Sequence, residues 1–252
     1  MERRALLIHG AFGGPWTVQP LADALEKRGW QCHAPPLRHH GGDPGDADAL
    51  VGVSIADYCS DLAAFVASLP SKPVILGHSM GGVIAQKLAM EGLASGVVLL
   101  NGSVISGILP VTAAERSIGT GFMRAGAIWE QVIHPDMETL SRLGFNTLSP
   151  ETQAATFARL SPESGQALFE LFFWIFDDRQ TTKIDVERVT CPILVVSGAE
   201  DHGVSPAIAR QIAARYGEQA ELHIAEGCCH YLMQDARFPE VAAVIADWME
   251  QL

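Results

Sequence analysis

Along the chain, short runs of uninterrupted apolar residues alternate with longer stretches in which apolar positions recur at helical spacing. Ala5-Leu6-Leu7-Ile8 is the first such run, suited to a strand covered on both faces. After a glycine-rich turn, Trp16, Val18, Leu21, Ala24 and Leu25 share one face of a helix expected over 16–28, and Gly29 stops it. A second strand is expected over 31–34. Ser54 with Asp57 fits a capping box that opens a helix running to Leu69, where Pro70 closes it. Val74-Ile75-Leu76 forms the third strand, and an amphipathic run from Val83 to near Gly92 follows. Val97-Val98-Leu99-Leu100, residues 193–196 and residues 222–224 supply three more strands. Helices are expected from near Pro206 and from Pro239 to Met249. Strands that alternate with helices predict an α/β fold: a mostly parallel sheet of about six strands, flanked by helices, with its sites beyond the strands' C-terminal ends.

The alternation lapses between Ser103 and Arg188. This segment is rich in helical patterning, with breaks expected at Gly107, Pro110, Gly119-Thr120-Gly121, Pro135, Ser149-Pro150 and Ser161-Pro162. It also carries the aromatic run Leu171-Phe172-Phe173-Trp174-Ile175-Phe176. The expected organisation is therefore a core of residues 1–102 and 189–252, with an inserted helical cap over 103–188. Residues 38–48 are expected to form a polar surface loop.

Composition narrows the class. Of 252 residues, 48% are hydrophobic and 18% charged, which describes a globular chain with a large core. A net charge of −12 argues against nucleic acid or an anionic membrane as partner, since both require clustered Lys and Arg. Cys32, Cys59, Cys191, Cys228 and Cys229 are odd in number and lack metal spacing, which points to reduced thiols and a cytoplasmic location. No run approaches the ~18 apolar residues of a membrane span, so no membrane insertion is expected. The first strand begins at Arg4 or Ala5, which leaves no room ahead of it for a signal peptide.

The chemistry concentrates at Gly77-His78-Ser79-Met80-Gly81, a G-x-S-x-G pattern set between a strand and a helix. A serine presented from such a tight turn needs a positive φ, a strain of ~1–3 kcal/mol that only enforced surroundings sustain. Its neighbours two positions away must lack a Cβ, which accounts for Gly77 and Gly81. A bare glycine-rich turn would explain the pentapeptide alone; the strand before it and the helix after it favour a nucleophile. A serine hydroxyl needs a base within hydrogen-bond reach, and an imidazole oriented by a carboxylate suits that task.

This arrangement resembles the nucleophile elbow of the α/β-hydrolase superfamily, and the resemblance extends over the whole chain. The absence of strands ahead of Ala5 and the opening His9-Gly10-Ala11 are similar to the compact esterase and hydroxynitrile-lyase branch. The resemblance implies the order serine, acid, histidine. Asp201-His202-Gly203-Val204-Ser205-Pro206 resembles the family's Asp-x-x-Val-x-Pro pattern and selects Asp201 over Glu200. His230, followed by Tyr231-Leu232-Met233 after the last strand, matches the family's base. Implied oxyanion donors are the backbone N–H groups of Met80 and of Ala11, with Phe12 as the rival to Ala11. Candidates for the substrate pocket are Phe12, His78, Phe122, Trp174 and Tyr231.

Other features take plainer readings. His9 reads as a structural residue of its turn, and Cys228 and Cys229 as packing residues. His39-His40 with Asp43, Asp46 and Asp48 matches neither a zinc nor an EF-hand spacing. Gly10-Ala11-Phe12-Gly13-Gly14 lacks the Gly-Lys-Ser/Thr ending of a Walker A loop.

The resemblance implies a metal-independent, cofactor-free serine hydrolase that cleaves a small or medium apolar ester or lactone through an acyl-enzyme. The same triad serves C–C bond hydrolases, cofactor-free haloperoxidases or perhydrolases and hydroxynitrile lyases. A non-catalytic ligand receptor on the same scaffold is the alternative from another class.

Overall fold

The computed structural model describes residues 3–41 and 44–252, with the side chains of 44–46 excepted. Strands β1 (Arg4–Ile8), β2 (Gln31–His33), β3 (Val74–His78) and β4 (Gly96–Leu100) come first. A two-residue pair follows, β5 (Val132–Ile133) with β6 (Glu163–Ser164), and then β7 (Ile193–Gly198) and β8 (Ala220–Ala225). Six of these make one sheet in the order β2-β1-β3-β4-β7-β8, with every pairing parallel. The helices are α1 (Pro15–Glu26), α2 (Ile55–Ala67), α3 (Met80–Met90), α4 (Ala113–Arg124), α5 (Met137–Leu143), α6 (Pro150–Phe157), α7 (Gly165–Phe172), α8 (Pro206–Tyr216) and α9 (Phe238–Met249).

The period of two along each strand divides the core into two layers. Leu6, Ile8, Ile75, Val97, Leu99, Ile193 and Val195 face a cluster built from α2, α3, α7 and α8. Ala5, Leu7, Val74, Leu76, Val98, Leu100, Leu194 and Val196 face the other way, onto α1 and α9. Both faces are covered, which is why these strands read as continuous apolar runs and not as alternating ones. The helix boundaries follow their local chemistry. Ser54 and Asp57 form the reciprocal capping box at α2, and Gly29 after α1 adopts φ +83°.

Residues between β4 and β7 form four helices, α4 to α7, and pack on the core in several places. Ala167, Leu168 and Leu171 of α7 belong to the same apolar cluster as the central strands. Phe145 and Leu148 form a smaller cluster with Cys229 and Tyr231. Two buried carboxylates also reach across. Glu170 accepts from Ser54 Oγ at 2.8 Å and from the N–H of Ile55, at the head of α2, at 2.8 Å. Glu163 accepts from Tyr58 Oη at 2.7 Å.

Two local expectations are corrected. The break expected at Gly119-Thr120-Gly121 does not occur, because α4 runs straight through it, opened by a Thr112–Glu115 capping box. The segment over 38–48 is not wholly a surface loop either: His40 is buried and sits 3.1 Å from Glu163 Oε2. Gly42 and Asp43 lie outside the described residues, as does the side chain of Asp46. Among the described residues no helix is long and apolar enough to cross a membrane.

Candidate active site

Strand β3 ends at His78 and helix α3 begins at Met80, so Ser79 occupies the single-residue turn between them, at φ +51° and ψ −119°. The strain is held from several sides. Ser79 N–H donates to Leu100 O at 3.0 Å, and Ser79 O accepts from Gly82 N–H at 2.8 Å and Ser103 N–H at 3.1 Å. The flanking glycines are sterically required. A Cβ on Gly77 would strike the carbonyl of Gly81, and one on Gly81 would strike the carbonyl of Ile8. Gly10 presses on the serine as well, since its Cβ would lie 2.9 Å from Ser79 Cβ.

His230, in the loop after β8, places Nε2 3.0 Å from Ser79 Oγ. Its Nδ1 lies 2.7 Å from Asp201 Oδ2. The second carboxylate oxygen of Asp201 accepts from Gly203 N–H at 2.9 Å and Val204 N–H at 2.7 Å. The loop after β7 thus folds around the buried Asp201, whereas Glu200 is exposed. Asp201 and Ser79, 29 and 151 positions from His230 along the chain, therefore meet it in one hydrogen-bonded row. Such a row can draw a proton from the serine hydroxyl and stabilise the imidazolium that results.

Met80 is the first residue of α3, so its N–H has no acceptor within the helix. Ala11 and Phe12 form the centre of a turn closed by Gly13 N–H to Gly10 O at 3.2 Å, with Phe12 at φ +62°. Ser161, between α6 and β6, steadies this turn: its N–H donates to Phe12 O at 2.9 Å and its hydroxyl to Gly13 O at 3.2 Å. His9 is a structural residue here. Its Nε2 accepts from Leu37 N–H at 3.1 Å, and burial together with the nearby His40 lowers its pKa to about 4.

A cavity of about 360 Å³ opens on Ser79 and His230. Ala11, Phe12, Phe122 and Tyr231 line it, alongside Leu140 and Leu171. Two pocket candidates fall elsewhere. His78 is buried beneath the site and donates from Nε2 to the carbonyl of His230 at 2.9 Å. Burial and then the neighbouring His230 lower the pKa of His78 to about 3, so its ring is neutral. Trp174 lines a separate, adjoining cavity and donates to Ile108 O at 3.2 Å. Its sequence position in the aromatic run could not show which cavity it would face.

Asn101 was not singled out from the sequence. It closes β4 at φ +46°, a left-handed conformation that asparagine tolerates better than most residues. Its amide donates to the carbonyls of Cys229 and His230 at 3.0 and 2.8 Å, and its oxygen accepts from Gly198 N–H at 2.7 Å. The sequence signal for it was slight, an asparagine before a glycine at a strand end. Cys228 and Cys229 are buried, and burial pushes the Cys228 thiol up to about 11, which agrees with a packing role.

Comparison with known proteins agrees with this architecture. The chain is 25% identical over 203 residues to a thermostable monoacylglycerol lipase from Bacillus sp. (strain H-257), covering 80% of this chain and 71% of the lipase. It is 35% identical over 86 residues to a pyrethroid hydrolase of Sphingobium wenxiniae, covering 34% of this chain and 30% of that protein. Among solved structures, a methylesterase from Arabidopsis superimposes with a TM-score of 0.75 at 16% identity, over 99% of this chain and 100% of the other. A profile described as "Alpha/beta hydrolase family" matches residues 5–244. With its six-stranded parallel sheet and its serine at the strand-to-helix turn, the chain belongs to the alpha/beta hydrolase family.

Proposed function

We propose that this protein is a serine carboxylic-ester hydrolase acting on a small or medium apolar ester or lactone. The observation that carries this reading is the row Asp201 Oδ2–His230 Nδ1 at 2.7 Å and His230 Nε2–Ser79 Oγ at 3.0 Å, which opens into a largely apolar cavity with Asp136 and Arg142 also in its lining. Similarity to a monoacylglycerol lipase supports the ester as the substrate class.

In this mechanism Ser79 Oγ attacks the carbonyl carbon while His230 Nε2 takes its proton. The carbonyl oxygen becomes an oxyanion, held by the N–H of Met80 and by one from the Ala11–Phe12 turn. His230 returns the proton to the leaving alkoxide, so the alcohol departs and the acyl group remains on Ser79. Water, deprotonated in turn by His230, attacks the acyl-enzyme carbonyl; the bond to Ser79 Oγ breaks, His230 returns its proton to that oxygen, and the acid is released. Asp201 holds His230 in the tautomer that keeps Nε2 free to accept, and it stabilises the positive ring. No metal or cofactor takes part. Residues 103–188 act as the cap that shapes the acyl pocket, with Phe122 and Tyr231 as its aromatic walls. Replacing Ser79→Ala tests the reading. Loss of p-nitrophenyl ester turnover, with the melting temperature retained, is expected; undiminished turnover would overturn it.

A further inference from the structure

The catalytic cavity has a neighbour. A second cavity of about 250 Å³ adjoins it, and Ser103, Phe172, Gly203 and Val204 line both. The rest of the second wall is largely apolar, including Val104, Pro110, Met123, Phe173, Trp174 and Ile208. Its two charged residues are already engaged. Glu115 accepts from the N–H groups of Val111, Thr112 and Ser205 at 2.6–2.8 Å, and Arg116 donates to Val111 O at 2.9 Å. What the cavity offers a ligand is therefore chiefly hydrocarbon surface.

Helix α4 carries one glycine towards each space. Gly119 lines only the second cavity, and Gly121 only the first. Neither has a packing reason to be glycine: a Cβ at either would meet no atom within 4 Å, and neither has a positive φ. A glycine inside a helix costs about 1 kcal/mol relative to alanine. The consequence of that choice here is room, one side chain's worth beside each cavity. Phe172, in ring contact with Phe122 at 5.2 Å, stands between the two spaces.

We propose that the second cavity is a substrate subsite that receives the far end of an extended, unbranched alkyl arm. The arm enters from the carbonyl at Ser79 and passes Phe172, with Gly119 keeping the subsite open and Gly121 keeping the path to it wide. This inference rests on the ester-hydrolase reading and names its substrate class: an ester with one long apolar arm.

The test compares wild type with Gly119→Leu and Gly121→Leu. Leucine is a strong helix former, so α4 is retained, and melting temperatures check that. Two series are measured, p-nitrophenyl acyl esters from acetate to dodecanoate and alkyl acetates from methyl to dodecyl. Gly119→Leu is expected to lower the ratio of kcat/KM for long over short substrates about tenfold or more in one series, and that series identifies the arm. Gly121→Leu is expected to lower kcat/KM from the middle of the same series onward. A long-to-short ratio equal to wild type in both series for Gly119→Leu would overturn the subsite and leave the ester-hydrolase reading standing. Should wild type cleave no ester, that reading falls, and 1-alkanol binding decides the subsite. A rise in melting temperature with decanol that Gly119→Leu abolishes would support it, and an equal rise in both proteins would overturn it.

Discussion

Asn101 Nδ2 donates to the main-chain carbonyl of His230 at 2.8 Å, and the neutral His78 donates to the same oxygen at 2.9 Å. The candidate base is thus fixed through its backbone as well as through its ring. Asn101 also binds Gly198, the last residue of β7, whose loop carries Asp201. One buried amide therefore ties the end of β7, which leads to Asp201, to the backbone of His230.

Replacing Asn101→Ala strands the Gly198 N–H and frees the His230 loop. A destabilisation of about 1–3 kcal/mol is expected from the unpaired buried groups. Because the loss loosens the base and not the pocket walls, kcat for an ester should fall while KM changes little. Thermal melts and steady-state kinetics on the variant check both. A KM effect without a kcat effect would contradict the positioning role.

Asp201→Asn separates orientation from folding. The asparagine oxygen can still accept from Gly203 and Val204, where Asp201 Oδ1 now accepts at 2.9 and 2.7 Å. Its NH₂ would then face His230 Nδ1 and force the proton onto Nε2, the nitrogen that must accept from Ser79. A fall of about 10⁴ in kcat with little change in melting temperature is expected, by analogy with the same exchange in other serine triads. Retained kcat would show that Asp201 does not orient the base.

A second buried pair governs stability. His40 Nε2 and Glu163 Oε2 face each other at 3.1 Å, both side chains fully buried, without a well-aligned hydrogen bond between them. Burial opposes charge on His40, but the Glu163 carboxylate outweighs it and holds the imidazole above its ordinary value of 6.5. Glu163 is likewise penalised by burial, yet His40, Tyr58 and the Ser164 N–H hold it below 4.5. The other titratable neighbours are Tyr58, whose hydroxyl donates to Glu163 Oε1 at 2.7 Å, and His9, whose ring lies 5.3 Å from that of His40 and is neutral near pH 7.

The direction of the pH effect follows from these shifts. The stabilisation from His40 is complete below pH ~6.5 and is lost as pH rises through its higher folded value. That from Glu163 is complete above pH ~4.5 and is lost as pH falls through its lower folded value. Stability should therefore decline as pH rises from ~6.5 through the higher folded value of His40. Glu163→Gln should lower the melting temperature at pH 6 and flatten that decline. Parallel melting curves for the two proteins across pH 6–9 would contradict the pairing.

The elbow could be read from sequence because its requirements are local. Gly77 and Gly81 are demanded by collisions within four residues, or with the adjacent strand, and the apolar runs mark strands buried on both faces. Asp201 and His230, which the structure brings beside Ser79, were singled out through their motif and their order along the chain as the candidate acid and base. Relationships that depend on distant partners were not. Asn101 lies 129 positions from His230, and Tyr58 lies 105 from Glu163; no local pattern encodes either pairing. Gly119 and Gly121 misled as helix breakers: Thr112 and Glu115 fit a capping box in the sequence, but the open space around both glycines exists only in the folded chain. His78 sits on the strand whose next residue is Ser79, yet the pleat turns it beneath the site, towards the His230 backbone.

The central claim is that Ser79 is an activated nucleophile. Treating the intact protein with a fluorophosphonate and digesting it for mass spectrometry tests that directly. The account predicts one phosphonyl adduct, on the peptide bearing Ser79, with labelling that is lost in Ser79→Ala and strongly slowed in His230→Ala. An unlabelled Ser79 in the folded wild-type protein would contradict it.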